Sequence, residues 1–547
     1  MRPGFTSLLS ALASVLLLCG CSRPWPAYRY NGERGAHQRY HSRLSDPDDV
    51  TKLAVGWAWP SSGSEGGFFK SSPVVFEDRV FIGSSRGFFY ALDEKNGNKL
   101  WQFPDSGPAL LGSCFFGQYG VQSSAARARI GGQEAVIFGA PDPAAEMGLG
   151  SARLFALNVD TGKQIWASDV VAHINGCTAG NLMELHERVA YSAPLVERDR
   201  VYIGVHDSGD DPIQNGKVIA VDLATGKKVP GFSYVSTSTR GGGVWNAPAS
   251  DGKGVYFTTG NTRDWNGGVQ PQPALNNGLS LLRVNPATGA VVWKFQPVPF
   301  PLDFDPDWSA GAALMDSSCG DLAESVQKDG WTYAVDANTG SCKWQYPPTN
   351  EPACTFPIPA GCPPSCPMVH NDTDYKQPGA VWGDVLVIKG GGWGLILPYP
   401  AGVPAGYSRL HALNSCRADA QRVRWIIDVP HATPGDGYSI GAPTVTGGIV
   451  YVPTDQGHVV AIADPSVRPA AGFQCTFEFI NPASTGPTWA AVCLALGFQL
   501  APTPRVLADV ALPDGANASG LRNEAALANG RLFVGTSGGH VYALWPK

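Results

Sequence analysis

Short apolar segments recur along the whole chain, and each is followed by a turn rich in glycine or asparagine. The most regular ones are residues 80–83, 135–139, 201–204, 255–259, 385–389, 449–453 and 532–536. Short apolar runs bounded by turn residues are typical of β-strands, and glycine readily adopts the positive φ angles of tight turns. The pattern therefore predicts an all-β protein.

One motif repeats after these strands: Ala-x-Asp, a glycine four residues after the aspartate, and a tryptophan four residues after the glycine. It reads FYALDEKNGNKLW at residues 89–101, and similar copies begin at residues 154, 218, 281 and 332. Weaker copies begin at residues 410, 459 and 541. A repeat of short strands indicates stacked units such as propeller blades. We expect the small alanine to leave room for an indole of a neighbouring unit.

The last copy of the motif ends at Trp545-Pro546-Lys547, without a final strand. Residues 53–60, LAVGWAWP, have the pattern of that missing strand. A four-stranded blade cannot bury both of its faces alone, so the blades must stack on one another. The prediction is an all-β, eight-bladed β-propeller, with residues 53–60 completing the last blade.

Composition agrees with one turn-rich domain. The 547 residues include 66 glycines and 45 prolines. Length alone would suggest several domains, but the repeats assign residues 51–547 to a single propeller. The net charge is −6 and no basic patch with interleaved aromatic residues occurs, which argues against nucleic acid as a partner.

The N-terminus predicts export. Residues 8–18 are apolar, and Leu18-Cys19-Gly20-Cys21 resembles the lipobox of bacterial lipoproteins. We interpret residues 1–20 as a lipoprotein signal peptide and Cys21 as the lipidated residue; an ordinary signal peptide cut nearby is the alternative. Residues 21–50 form a polar approach segment. The expected location is periplasmic, with the outer membrane contacted only through the lipid anchor.

Ten cysteines follow the signal segment, an even number that indicates disulfides in an exported chain. Cys475 and Cys493 flank one insertion and are candidates to pair. Long insertions on a rigid ring usually carry the functional surface. One insertion contains LMELHER at residues 182–188, for which we expect a helical turn with Glu184, His186 and Glu187 exposed to solvent.

The repeat resembles the tryptophan-docking motif of dehydrogenases that use pyrroloquinoline quinone (PQQ) to oxidise alcohols. The segment VTKLAVGWAW at residues 50–59 is also similar to that family. The resemblance implies an exported enzyme that uses PQQ and one Ca²⁺ to oxidise an alcohol or polyol, with poly(vinyl alcohol) dehydrogenase as the nearest activity. A separate cytochrome c or another acceptor would take the electrons. Non-catalytic propellers share the repeat, so an outer-membrane or periplasmic scaffold lipoprotein is the alternative.

The resemblance also implies roles for particular residues. Within residues 240–268, Trp245 would stack beneath the quinone and Asn261 would bind Ca²⁺; filling the core and capping a turn are the alternatives. Asp307 would act as general base and as a metal ligand, with Asp303 and Asp305 as close rivals.

Two more residues have roles implied in the same way. Lys328, in the sequence QKDG, would face the quinone oxygens, although an ordinary turn lysine is equally consistent. Glu146 would be a carboxylate ligand of Ca²⁺, with Asp142 as its rival. Calcium prefers a set of hard oxygen ligands such as these carboxylates and an amide.

The chain departs from the family pattern at residues 113–120. Methanol dehydrogenase-type members have two adjacent cysteines over the quinone, followed by an arginine. Here only Cys114 is present as the implied cofactor contact, with Phe115 or Phe116 as alternative groups to cover the quinone. Tyr119 or Gln122 stands where a cation is expected. Ser123 and Ser124 would donate hydrogen bonds to the cofactor carboxylates as a weaker substitute for that cation.

Overall fold

The computed structural model describes residues 23–40, 42–60, 65, 67–114, 117–143, 151–173, 187–189, 191–207, 215–236, 241–261, 277–297, 308, 310–327, 331–346, 378–390, 409–433, 440–467, 503–518 and 523–547. The predicted signal peptide, the lipidation site Cys21 and the predicted Cys475–Cys493 pair lie outside these residues. None of the helices among them is long and apolar enough to cross a membrane.

The described strands form eight antiparallel sheets, numbered here as blades 1 to 8 in chain order. Blade 1 consists of β2 (Val74–Phe76), β3 (Arg79–Gly83), β4 (Phe89–Asp93) and β5 (Lys99–Phe103), and blade 2 consists of β8 (Ala126–Ile130), β9 (Gln133–Pro141), β10 (Ala152–Asn158) and β11 (Gln164–Ala167). Blade 3 consists of β12 (Glu187–Arg188), β13 (Leu195–Glu197), β14 (Arg200–Asp207), β15 (Lys217–Asp222) and β16 (Tyr234–Val235). Blade 4 consists of β17 (Ala249–Ser250), β18 (Val255–Thr258), β19 (Leu281–Val284) and β20 (Val291–Phe295).

Blades 5 to 8 complete the ring. Blade 5 consists of β21 (Ala313–Ser317), β22 (Gly320–Val326), β23 (Thr332–Asp336) and β24 (Cys342–Tyr346), and blade 6 consists of β25 (Ala380–Trp382), β26 (Val385–Gly390), β27 (Arg409–Asn414) and β28 (Val423–Asp428). Blade 7 consists of β29 (Thr444–Thr446), β30 (Ile449–Pro453), β31 (His458–Ala463) and β32 (Arg505–Ala511). Blade 8 consists of β33 (Ala526–Ala528), β34 (Arg531–Gly535), β35 (Val541–Pro546) and the N-terminal strand β1 (Leu53–Trp59). A separate hairpin, β6 (Gly112–Cys114) with β7 (Gly117–Tyr119), lies between blades 1 and 2 in the chain.

The N-terminal strand closes the ring, as predicted. β1 pairs antiparallel with β35, with Leu53 opposite Pro546 and Trp59 opposite Val541. The innermost strands β2 and β33 contact each other, so blade 8 meets blade 1 directly. The first and last strands of the chain are therefore held in one sheet.

The repeated tryptophans join neighbouring blades. A Cβ atom added at Gly162 would lie 2.6 Å from the Trp101 ring, and one at Gly226 would lie 2.8 Å from the Trp166 ring. The Trp101 indole N–H also donates to the Val159 carbonyl at 3.0 Å. Only glycine leaves room for the indole at these positions.

The expected role of the repeated alanine was wrong. Ala91 lies opposite Trp101 within the same sheet, and Ala156 lies opposite Trp166 in the same way. The glycine of the next blade, rather than an alanine of the neighbouring unit, receives the indole. The apolar core continues between blades, where for example Phe89 and Phe138 stack with ring centroids 3.9 Å apart.

Residues 24–38, called the channel segment below, run along the inner wall of the ring and contact it at every blade. In blade order, the contacted residues are Val75, Arg127, Pro194, Ser250, Leu314, Val381, Val445 and Leu527. Much of the predicted approach segment is therefore built into the centre of the propeller. A 3₁₀ turn (Arg43–Ser45) and a short helix (Pro47–Val50) then lead to β1.

Two buried arginines anchor the channel segment. Arg29 is fully buried and donates to the Glu524 carboxylate at 2.9 Å, to the Pro443 carbonyl at 3.1 Å and to the Gly379 carbonyl. Arg34 donates to three backbone carbonyls, at distances of 2.7 to 2.9 Å, and burial lowers its pKa to about 10. Because buried charges need compensating partners, these contacts determine how the segment lies in the channel.

A disulfide between Cys319 and Cys416 joins blades 5 and 6. Cys319 lies in the turn between β21 and β22, and Cys416 follows β27. The prediction that the chain contains disulfides is therefore confirmed.

Candidate functional site

One end of the ring, called the loop face below, is where the innermost strands begin and the second strands end. A polar side chain just before the innermost strand bonds to the second strand of the same blade at five places: Ser71 with Gly83, Ser123 with Gly139, Ser192 with Gly204, Asn246 with Thr258, and Asn523 with Gly535. These bonds hold the starts of the inner strands in fixed positions around the channel.

Trp245 and Asn261 both lie at the loop face of blade 4. Trp245 is partly buried in the connection that leads into β17, and Asn261 follows the end of β18. The Gly242 N–H donates to the Asn261 carbonyl at 2.6 Å, and the Gly260 N–H donates to the Gly243 carbonyl at 2.9 Å. The structure thus brings the predicted stacking indole and the predicted metal-binding amide to one end of one blade.

Trp308 and Gln327 form an isolated antiparallel bridge between the start of blade 5 and the end of β22. Trp308 is fully buried, and its carbonyl accepts a hydrogen bond from the Asn246 side chain at 3.1 Å. Asn246 directly follows the predicted stacking indole. Asp307 and Lys328, the sequence neighbours of the bridged residues, lie outside the described residues.

Buried polar atoms at the loop face lack hydrogen-bond partners among the described residues. Gln327 is fully buried, and neither polar atom of its side-chain amide pairs with any residue that the structure describes; the same holds for the side-chain carbonyl of Gln122. An unpaired buried polar group costs about 1–3 kcal/mol, so such groups require an explanation. A bound polar ligand is one source of the missing partners.

Ser123 and Ser124 are both buried at the junction of blades 1 and 2. The Ser123 hydroxyl donates to the Ser124 carbonyl at 3.1 Å and accepts from the Gly139 N–H at 3.3 Å. The Ser124 hydroxyl accepts from the Ser72 N–H at 2.8 Å. Ser123 therefore already donates its hydrogen within the chain, which leaves Ser124 as the better candidate donor to a ligand.

Sequence reasoning missed a cation at the loop face. The Arg188 guanidinium carbon lies 4.3 Å from the centroid of the Tyr119 ring. Tyr119 is buried, its hydroxyl has no hydrogen-bond partner among the described residues, and burial raises its pKa to about 12. The hydroxyl therefore stays protonated and can donate. No spacing rule connects these two residues, because Tyr119 lies in the hairpin between blades 1 and 2 and Arg188 lies in the first strand of blade 3.

The expectation that Glu187 is exposed to solvent was wrong. Glu187 lies in β12, its side chain is 2% exposed, and it forms an ion pair with Lys217. It also accepts a hydrogen bond from the His173 N–H at 3.0 Å. The strand places Arg188 next to it in the chain, opposite His206 of β14.

The remaining predicted site residues stay predictions. Glu146, like Asp307 and Lys328, lies outside the described residues, and Cys114 ends β6 in the hairpin with β7. The described groups suit a planar anionic ligand: an indole for stacking, a guanidinium, unpaired donors and an amide. The donor set therefore fits PQQ, whose carboxylates require cations and hydrogen-bond donors.

Comparison with protein families identifies this architecture. Residues 25–353 match the PQQ family model described as "Glucose/ethanol/alcohol dehydrogenase, beta-propeller domain". The chain therefore belongs to the PQQ-dependent alcohol dehydrogenase-like β-propeller family.

Curated relatives agree with this assignment. The chain is 26% identical over 314 residues to quinoprotein alcohol dehydrogenase PedH of Pseudomonas putida, which covers 50% of this chain and 47% of that protein. It is 23% identical over 376 residues to polyvinylalcohol dehydrogenase of a Sphingopyxis species, which covers 60% of this chain and 51% of that protein. The chain spans about half the length of the curated relatives it matches.

Solved structures share the fold. A europium-containing methanol dehydrogenase superimposes with a TM-score of 0.64 at 16% identity, covering 97% of this chain and 100% of that chain. A quinohemoprotein alcohol dehydrogenase from Comamonas testosteroni gives a TM-score of 0.62 at 16% identity, with coverages of 97% and 82%. At this identity the likeness establishes the eight-bladed fold alone.

Proposed function

We propose that this protein is a quinoprotein dehydrogenase that oxidises an alcohol or polyol and passes the electrons to a separate acceptor such as cytochrome c. The observation that supports this most is the bridge between Trp308 and Gln327. It joins the direct sequence neighbours of Asp307 and Lys328, and it is linked through Asn246 to the Trp245 segment. The similarity to polyvinylalcohol dehydrogenase favours a polymeric alcohol as substrate.

PQQ, when bound, would supply the hydride acceptor. Trp245 would stack on its ring, and Arg188 and Ser124 would bind its carboxylates. Lys328 would polarise a quinone oxygen, and Cys114 would lie against the cofactor from its hairpin. Arg188 would compensate for the arginine that is absent at positions 119 and 122.

Asp307 would take the hydroxyl proton of the substrate. Together with Glu146 and Asn261, it would also hold one Ca²⁺, which prefers carboxylate and amide oxygens. A cation beside a carboxylate favours its charged form, so Asp307 would be ionised and able to act as a base at neutral pH.

The same proposal includes export and lipidation at Cys21. A lipid at this position would tether the propeller to the outer membrane from the periplasmic side. The electron acceptor would then be a separate periplasmic protein.

Reconstitution tests the proposal. The Cys21→Ser protein is supplied with PQQ and Ca²⁺, and reduction of an artificial dye is followed with small alcohols and with poly(vinyl alcohol). We expect calcium-dependent turnover that is lost in Asp307→Ala and Asn261→Ala, whereas the matched acidic variant Asp303→Ala retains it. Absence of both PQQ binding and turnover in a folded sample would reject the enzyme and leave the scaffold alternative.

A further inference from the structure

Blade 7 carries a cluster of two histidines and one aspartate at the loop face. His431 comes from the connection between β28 and β29, His458 begins β31, and Asp509 lies within β32. The proposed cofactor site uses none of these residues. The fold thus brings together three side chains that are far apart in the sequence.

The three side chains converge through their ligand atoms. His431 Nε2 lies 3.0 Å from one carboxylate oxygen of Asp509, and His458 Nδ1 lies 2.7 Å from the other. The two imidazole rings stack with centroids 3.8 Å apart and planes 8° apart. All three possible ligand atoms lie within 4.8 Å of one another.

The backbone holds His431 in an uncommon conformation. Its φ angle is +54°, in the left-handed region that few non-glycine residues adopt. Two residues later, the Thr433 N–H donates to the Asp455 carboxylate at 3.0 Å. This bond attaches the connection to the turn between β30 and β31, so the His431 ring is kept beside His458.

Two imidazoles and one carboxylate suit a borderline divalent ion such as Zn²⁺, whereas Ca²⁺ prefers oxygen ligands alone. Zn²⁺ binds nitrogen and oxygen at about 2.0–2.2 Å, which separates two ligands of a tetrahedral site by about 3.3 Å. The observed nitrogen-to-oxygen distances of 2.7 and 3.0 Å are within a few tenths of an ångström of this value. Because an imidazole binds a metal in its own plane and the two rings are stacked, the half-exposed His431 ring would also have to turn for both nitrogens to reach one ion. The protons on the ligating nitrogens would move to the other ring nitrogens or to solvent.

We propose that His431, His458 and Asp509 form a binding site for one divalent transition-metal ion of the Zn²⁺ class. Water completes the coordination, because the His431 side chain is 45% exposed. The ion fastens the connection between blades 6 and 7 to the outer strands of blade 7. This site is separate from the proposed Ca²⁺ site, and it does not depend on the proposed dehydrogenase activity.

The next blade provides a matched control. His540 occupies the same place as His458 in its repeat, in the sequence Gly-His-Val, and its Nδ1 lies 2.9 Å from the Asp514 carboxylate. Among the described residues, this pair belongs to no group of three potential metal ligands. A single histidine–aspartate pair should therefore bind Zn²⁺ much more weakly.

Titration of the full chain with Zn²⁺ alone as the probe, against a chromogenic chelator and in excess Ca²⁺, tests the site. We expect one Zn²⁺ per chain whose affinity falls at least about tenfold in His431→Asn, His458→Gln and Asp509→Asn. His540→Gln should leave it unchanged. Asn tolerates the left-handed conformation, so His431→Asn removes the ligand without straining the backbone.

Thermal unfolding with and without Zn²⁺ provides a second readout, because an ion that binds only the folded state raises Tm. The increase should occur in the wild type and in His540→Gln but not in His431→Asn. Equal Zn²⁺ affinity and an equal Tm increase in the wild type and a folded His431→Asn variant would overturn the proposal.

Discussion

Replacing Arg29 by methionine should destabilise the whole propeller. The side chains of Arg29 and Glu524 are both fully buried and form an ion pair. The guanidinium also donates hydrogen bonds to the carbonyls of Pro443 and Gly379. Methionine would leave a carboxylate and two carbonyls without this partner inside the channel. Removing one member of a buried ion pair costs about 3–5 kcal/mol, so we expect a loss of about 4 kcal/mol in the free energy of unfolding.

The loss should depend on pH. Burial raises the pKa of Glu524, and the charge of Arg29 opposes that increase. Without Arg29 the folded state binds a proton that the unfolded state releases above about pH 4.5, so stability falls as pH rises. The loss in the free energy of unfolding of Arg29→Met, relative to the wild type, should therefore be larger at pH 8 than at pH 5.

Urea unfolding at both pH values measures this effect. The matched control is Arg43→Met, because Arg43 is half-exposed and pairs with Asp49 at 3.2 Å; such a pair is worth less than about 1 kcal/mol. Replacing Glu524 by glutamine in the Arg29→Met background should recover part of the stability. A midpoint shift for Arg29→Met no larger than that for Arg43→Met would refute the reasoning.

Two further predictions concern the blades. Gly226→Ala should lower Tm more than Gly252→Ala: both glycines have positive φ, but only at Gly226 would the added Cβ meet the Trp166 ring, at 2.8 Å. Equal decreases would argue against docking of the indole on this glycine. Burial raises the pKa of Glu324 to about 8, so the folded protein holds a proton and loses stability between about pH 5 and pH 8. Glu324→Gln should weaken the pH dependence of the free energy of unfolding, measured by urea unfolding between pH 5 and pH 8. If that free energy changed with pH as much as in the wild type, the raised pKa of Glu324 would be contradicted.

The ring itself was predictable because its rules are local. In the regular copies the glycine that receives an indole and the tryptophan that docks recur at a fixed spacing. LAVGWAWP has the pattern of the final strand that the last copy lacks, and it pairs with β35. The closure of blade 8 follows from these features. The direction of docking was not predictable, since the spacing does not say whether Ala91 faces Trp101 in its own sheet or an indole of the next unit.

Contacts made across the ring could not be predicted. The pairing of Arg29 with Glu524 joins segments near the two ends of the chain, and the position of Arg188 over Tyr119 joins blade 3 to the hairpin between blades 1 and 2. Neither has a spacing that a sequence pattern would reveal. The roles of Trp245 and Asn261 rest on the resemblance to the family and stay predictions, although the structure brings their segments together at blade 4.

Titration with PQQ tests the central claim most directly. Calorimetry of the chain with PQQ in the presence of Ca²⁺ should show one cofactor bound per chain. Trp245→Ala should weaken that binding by up to about tenfold, since aromatic stacking is worth about 0.5–1.5 kcal/mol. No binding of PQQ to the folded wild-type chain would contradict the proposal that its loop face is a quinoprotein site.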